Sequence, residues 1–403
     1  MAVNPPALPA LDPVPGVRLG TAKANVRKPD RRDLVVMECA PGTQVAAVFT
    51  RNRFCAAPVI VAREHRAHGA PRALIINTGN ANAGTGAAGI ADARACCTAL
   101  ATALGCETEQ VWPFSTGVIG EPLPVDRIVA GIPACVSALS ENGWGDAAYG
   151  IMTTDTVPKG TSRRVLIDSV PLTVTGIAKG AGMIRPDMAT MLAYIATDAR
   201  VAPDILQRAL QRAADASFNR ITVDGDTSTN DACVLLASGK GASIEAGQDS
   251  ERVFEQALTG VCVELAQAIV RDGEGATKFI TVEVEGGASE ADCLEVAYTI
   301  AHSPLIKTAF FASDPNWGRI LAAIGRAPAA QLDVDRVSIH LDDVCVVRAG
   351  GLAPDYTEAR GAAVMRRAEI AIRVNLGLGS ASARVWTTDL SHDYVRINAE
   401  YRS

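Results

Sequence analysis

The sequence has no CxxC pair, no HxxxH pair and no Cys/His cluster at ligand spacing, so neither a dithiol redox centre nor a zinc site is expected. It also lacks a GxxxxGK[ST] phosphate loop and a GxSxG elbow, which sets aside two common enzyme classes. No apolar run reaches the roughly 18 residues of a membrane span. The start, MAVNPPALPALDPVPG, has no basic stretch followed by an apolar core. A cytoplasmic protein without a membrane partner is the expectation. Basic residues are interspersed with acidic ones at a formal net charge of −6, which provides no footprint for a nucleic-acid backbone. The ten cysteines are scattered apart from Cys96 and Cys97, which sit together in an alanine-rich stretch and read as free thiols filling small core spaces. His65, His68, His302, His340 and His392 are dispersed, and each reads as a surface or hydrogen-bonded structural residue.

What is present is a chain of 403 residues, 48% hydrophobic, able to bury more than one core. Short apolar strands such as Ala73 to Ile76 alternate with a small-residue helix around Ala87 to Leu104, an α/β pattern. Arg163 to Ile177 reads as paired strands turning near Ser169 to Pro171, which would deliver Lys179 to a sheet edge. Beyond position 190 the pattern predicts a strand to Thr197, a helix from Pro203 to Ala216, strands near Ile221 and Val234, and a long helix from Arg252 to Arg271. A second, smaller α/β domain is expected over 283–403, after a catalytic core divided between 1–189 and 190–282. Its strands are expected at Val337 to Leu341, Cys345 to Val347, Ala368 to Val374 and Ala383 to Thr387.

The most informative segment is KGAGMIRPDMATMLAYIATDA, from Lys179 to Ala199. Gly180, Ala181 and Gly182 free the backbone, Pro186 stops a helix, and Ala189 leaves the carbonyl before Thr190 uncrowded. A threonine there can attack the preceding peptide, cleave the chain and become a new N-terminus whose α-amine serves as its base. A threonine at the start of a strand is usually structural, and from the local string alone that is the stronger reading. The motif GTGAAG, from Gly84 to Gly89, mimics a dinucleotide fingerprint but does not turn directly off its strand. A nucleotide-binding oxidoreductase is therefore the remote alternative.

The strings NTGNANAGTG from Asn77, STGVIG from Ser115, GIMTTDT from Gly150, DGDTSTND from Asp224, DGEGATKF from Asp272 and SDPNWGRI from Ser313 occur in one order around the Thr190 segment. Together, through the closing INAEYRS, the chain resembles the ornithine acetyltransferase family, the glutamate N-acetyltransferases of arginine biosynthesis. The resemblance implies an αββα layered core, similar to that of N-terminal-nucleophile hydrolases but differently connected. It implies autoproteolysis between Ala189 and Thr190, and α and β chains assembled as α2β2. Acetyl would pass from N-acetylornithine to glutamate through an acetyl-Thr190 ester in a ping-pong order, without a cofactor. Some members also take acetyl-CoA as donor.

Acyl transfer needs donors aimed at a developing oxyanion, and small residues at a strand end can supply them. Alone, the step Thr116–Gly117 reads as a turn; the resemblance makes it the oxyanion hole. The resemblance also places substrate contacts at Thr153, Lys179, Thr190, Glu274, Asn398 and Ser403. Lys179 suits a carboxylate or a field that keeps the Thr190 amine neutral, and Glu274 suits the ornithine ammonium. An N-terminal-nucleophile amidohydrolase or aminopeptidase, in which water takes the acyl group, is the closest rival.

Overall fold

The computed structural model describes residues 2–185, 191–329 and 331–401. Ala189, Thr190 and Ser403 lie outside them. The chain divides into two compact units, a larger one of 7–219 and 226–269 and a smaller one of 1–6, 220–225 and 270–403.

Among the described residues, the larger unit holds two sheets. In the first, β1 (Val17–Ala22), β2 (Leu34–Cys39), β4 (Ala73–Asn80) and β5 (Val111–Val118) are neighbours in that order, with only β4 and β5 parallel. In the second the order is β3 (Gln44–Phe49), β9 (Ala232–Ala237), β8 (Leu192–Thr197), β7 (Val170–Lys179) and β6 (Lys159–Ile167), with only β8 and β9 parallel. Alternation along β2 shows how the layers stack. Val35 and Met37 join Trp112 and Phe114 in a core shared with Leu192, Tyr194 and Val234 of the second sheet. Leu34 and Val36 turn the other way, onto the helices α2 (Gly86–Leu104) and α3 (Val125–Ser137). Phe114 meets Tyr194 edge to face at 5.4 Å, a contact worth about 0.5–1.5 kcal/mol beyond burial.

Helix α1 (Ala57–His68) packs beside α2, and α4 (Trp144–Gly150) adds Trp144, Ala147 and Ala148 to the core between the sheets. The outer face of the second sheet carries α5 (Pro203–Ala216), packed on β3 and β9, and α6 (Asp249–Arg271). At Gly176 of β7 an added Cβ would stand 3.0 Å from Leu265 and 3.1 Å from Val261, so this glycine lets α6 lie close. The layers are thus helix, sheet, sheet, helix, as expected from the resemblance. Helices α2 and α6 are long and apolar enough to cross a membrane by length and composition; both have faces packed on these sheets.

The β6–β7 hairpin turns through Asp168 and Ser169, at φ +49° and +66°, the two left-handed residues of a tight hairpin turn. Because β7 lies between β6 and β8, Lys179 stands at the end of an interior strand rather than at a sheet edge.

The smaller unit has one sheet, with β10 (Phe279–Gly287), β11 (Ser338–Leu341), β12 (Val344–Arg348), β13 (Gly351–Leu352), β14 (Glu369–Asn375) and β15 (Ala381–Thr388) in the order β13-β12-β11-β14-β10-β15. Its helices are α7 (Glu290–Ala301), α8 (Pro304–Phe311), α9 (Trp317–Gly325), α10 (Glu358–Met365) and α11 (His392–Ala399). Val282, Ile339 and Ile372 on the sheet share a core with Val296 and Ile300 of α7 and Phe310 of α8. Position 283 falls within β10, so that strand belongs to this unit from its first residue. Ile221 makes a single bridge to Trp386 rather than a strand. The segment after β15 is helical, capped by Ser391, whose hydroxyl accepts from the Tyr394 N–H.

Candidate functional site

Two polar assemblies gather the sequence-predicted residues, one in each unit. The first forms at the ends of β4 and β5. Their parallel register pairs Thr78 with Thr116 and Gly79 with Gly117, then slips so that Asn80 opposes both Thr116 and Val118. Gly117 has φ +140°, and a Cβ there would lie 2.2 Å from the carbonyl carbon of Gly79. Only glycine fits that close approach.

Side chains from three of the quoted strings lock this strand end. Ser115 Oγ donates to Asn77 Oδ1 at 2.6 Å, and Asn77 Nδ2 donates to the Asn80 carbonyl at 2.9 Å. Asn230 Nδ2 donates to the carbonyls of Ala81 at 2.6 Å and Ser115 at 2.9 Å, bridging to the peptide that precedes Thr116. Thr229 Oγ1 holds Asn230 Oδ1 at 2.6 Å, which sets the amide orientation. The GTGAAG segment is occupied in the same way. Asn82 Nδ2 donates to the Gly89 carbonyl at 2.8 Å, and a Cβ on Gly89 would strike Thr85 Oγ1 at 1.9 Å, so Gly89 serves close packing at the start of α2, while Gly84 and Gly86 take left-handed φ values of +69° and +62°.

Lys179 Nζ donates to Thr116 Oγ1 at 3.2 Å. The Thr116 hydroxyl accepts from a cation and keeps its own hydrogen to donate, the polarity an oxyanion requires. Behind Lys179 is Asp155, which the sequence alone does not single out although it stands in the same GIMTTDT string as Thr153. Asp155 accepts from Lys159 Nζ at 2.6 Å, the Gly180 N–H at 2.7 Å and the Thr153 N–H at 2.9 Å. Burial would raise its pKa; the charges of Lys159 and Lys179 and the hydrogen bonds from Gly180 and Lys159 outweigh it and hold the carboxyl well below the usual range. Asp155 therefore ties together Thr153 and the peptide after Lys179.

Asp231, also buried, behaves oppositely. Burial pushes its carboxyl well above the usual range against the pull of Ser228 hydrogen bonds and the Lys179 charge, and among the described residues its Oδ2 has no hydrogen-bond partner. The charges of both Lys159 and Lys179 act on Asp155, so two cations flank this strand end. Such a field favours a developing oxyanion and a neutral amine.

Thr153 borders a cavity of about 300 Å³ lined also by Arg31, Arg32, Tyr149, Met152 and Asp155. Arg31 reaches its floor, donating through Nη1 to the Thr153 carbonyl at 3.2 Å and through Nη2 to the Met152 carbonyl. Arg31 gives the cavity a cation suited to a carboxylate, while Arg32 Nη2 is paired with Asp146 Oδ1 at 3.2 Å.

In the smaller unit, Asn398 Nδ2 donates to Glu274 Oε2 at 2.8 Å and to the Tyr394 carbonyl at 3.0 Å. The pair leaves Glu274 acceptor oxygens with which to bind a cation. Thr116, Gly117, Thr153 and Lys179 are thus brought together in one unit, and Glu274 and Asn398 in the other. Ala189, Thr190 and Ser403 are outside the described residues.

A bulged Thr-Gly strand end backed by a lysine, in an αββα unit, has the makings of an acyl-transfer site. The sequence profile described as the ArgJ family matches residues 18–403. The Arginine biosynthesis bifunctional protein ArgJ of Pseudomonas fluorescens (strain Pf0-1) is 58% identical over 406 residues, covering 100% of both chains. The protein of that name from Methylococcus capsulatus is 60% identical, covering 98% of this chain and 97% of its own. Among solved structures, the Arginine biosynthesis bifunctional protein argJ from Bacillus halodurans is similar at 39% identity and TM-score 0.50, over 52% of this chain and 99% of its own. Ornithine Acetyltransferase from Mycobacterium tuberculosis, solved in complex with ornithine, is 33% identical with TM-score 0.39, over 46% of this chain and 97% of its own. The chain belongs to the ArgJ family. It is an enzyme of that family.

Proposed function

We propose that the chain is a glutamate N-acetyltransferase that moves acetyl from N-acetylornithine to glutamate through Thr190. In this reading the Thr190 hydroxyl attacks the Ala189 carbonyl, and water hydrolyses the resulting ester to release 1–189 and 190–403. The freed α-amine then takes the hydroxyl proton as Thr190 attacks the acetyl carbonyl. Thr116 Oγ1 and the Gly117 N–H receive the oxyanion, the bond to ornithine nitrogen breaks, and the ammonium returns the proton to the leaving amine. The α-amine of glutamate attacks the acetyl-Thr190 ester in the second half. One amide replaces another, so the exchange is near thermoneutral and needs no energy input.

Lys179 and Arg31 suit substrate carboxylates, and Glu274 with Asn398 suits the distal ammonium of ornithine. An α2β2 assembly and use of acetyl-CoA as a second donor belong to the same reading. The observation that carries it is the Lys179–Thr116 hydrogen bond beside the bulged Gly117 step. The test is to incubate the enzyme with N-acetylornithine alone and map the peptide that begins at residue 190. An acetyl group on Thr190, discharged by glutamate to N-acetylglutamate, is the expected result; free acetate as the main product would make the enzyme an amidohydrolase.

A further inference from the structure

The smaller unit buries a lysine to which the acyl-transfer chemistry gives no part. Lys307, on α8, is 4% exposed. Its ammonium donates to Thr387 Oγ1 at 3.1 Å, Thr388 Oγ1 at 3.2 Å and the Thr388 carbonyl. Its own carbonyl accepts the Leu390 N–H at 3.2 Å. Backbone and side chain together grip 387–390, the end of β15 and the link to α11.

Within that link, Asp389 Oδ1 accepts the N–H groups of Thr277 at 2.8 Å and Lys278 at 3.0 Å, and its Oδ2 accepts the Thr277 hydroxyl. Those residues directly follow the loop that carries Glu274. On the other side, Ser391 Oγ donates to the Gly275 carbonyl at 2.6 Å, and Tyr394 Oη donates to Asp224 Oδ2 at 3.2 Å. Gly275 has φ +68°, and a Cβ there would lie 2.4 Å from the Tyr394 nitrogen, so loop and helix meet backbone to backbone. Both members of the Glu274–Asn398 pair therefore hang from the segment that Lys307 holds.

Packing alone does not explain a lysine here. An apolar side chain of similar length would fill the space without the cost of desolvating an ammonium. Burial pushes Lys307 down to about 8, while the charges of Asp389 and Asp224 hold it up, so it stays cationic at neutral pH. What lysine adds is a fixed charge acting on two carboxylates and three directed donors.

We propose that Lys307 is a positioning residue for substrate recognition, fixing 387–390 so that α11 and the 272–276 loop present Glu274 and Asn398 as one unit to the distal ammonium of an ornithine-type substrate. The inference rests on the reading of Glu274 and Asn398 as substrate contacts.

The experiment compares N-acetylornithine with N-acetylnorvaline, which has the same carbon chain without the ammonium. Lys307→Met should raise KM for N-acetylornithine by about tenfold or more with kcat within about twofold, and leave kcat/KM for N-acetylnorvaline within about twofold. In a Glu274→Gln background the same substitution should add less than about twofold, because both changes remove one interaction. Hydrogen exchange of 391–401 should speed up in Lys307→Met. Equal losses on both substrates, or multiplying effects of the two substitutions, would overturn the proposal. If Glu274→Gln leaves KM for N-acetylornithine unchanged, the reading of Glu274 fails, and the recognition role with it; faster exchange of 391–401 would then support only the grip, and unchanged exchange would refute that as well. Where Lys307→Met does not fold, Asp389→Asn removes the facing charge and is carried through the same cycle with the same expected outcomes.

Discussion

Lys159 Nζ lies 2.6 Å from Asp155 Oδ1, with the two side chains 1% and 0% exposed. A buried ion pair of this kind does not itself guarantee stability, since both charges lose their hydration. Its value lies in what Asp155 also holds, the amides of Thr153 and Gly180 on either side of the candidate site.

Asp155→Asn strands the Lys159 charge and is expected to cost about 3–5 kcal/mol at neutral pH. The folded-state pKa of Asp155 is depressed, so its contribution is complete above the unfolded carboxylate value of about 3.9 and disappears as pH falls through the folded value. Denaturant unfolding of wild type and Asp155→Asn should show a gap that is constant from pH 7 to about 5 and closes in stronger acid. A gap that widens on acidification would contradict the assignment.

Gly117→Ala places a Cβ at φ +140° and 2.2 Å from the Gly79 carbonyl carbon. Strain of about 1–3 kcal/mol or more is expected, together with a fall in kcat as the strand end shifts. Thermal melting and steady-state kinetics on the same preparation check both; an unchanged kcat would show that the Gly117 amide is not used in the transition state.

If Thr116 lines the oxyanion hole as proposed, Thr116→Ala removes a donor needed only when the carbonyl oxygen becomes negative. Turnover should fall about 10²–10³-fold with little change in KM, provided the chain matures. A normal kcat with a raised KM would make Thr116 a binding residue.

Asn230→Ala leaves the carbonyls of Ala81 and Ser115 without their donor. A loss of about 1–3 kcal/mol in unfolding free energy is expected, measured by denaturant titration. Stability equal to wild type would mean that neither hydrogen bond matters to the strand end.

Much of the fold is legible in the sequence where period and punctuation are local. The 203–216 helix and the Arg163–Ile177 hairpin follow from apolar spacing and turn residues, and the structure places them with small shifts of boundary. The Thr116–Gly117 step is legible only through its neighbours, since a Thr-Gly pair alone reads as a turn and the bulge opposite Asn80 is a tertiary event. Asp155, Lys159 and Lys307 are hidden for a common reason. Charged residues in a sequence read as solvated, and only long-range contacts reveal that these are buried and paired. Asn398 belongs to a helix whose cap, Ser391, precedes a stretch with no strong apolar face; its docking through Gly275 and Asp224 has no local signal.

Whether the enzyme makes its own nucleophile at Thr190 is decided by the intact masses of purified wild type and Thr190→Ala. Wild type should give two chains, 1–189 and 190–403, and Thr190→Ala one uncut chain, because alanine has no hydroxyl to attack the Ala189 carbonyl. A single wild-type chain that retains full transfer activity, or two chains from Thr190→Ala cut at the same peptide, would contradict that origin of the nucleophile.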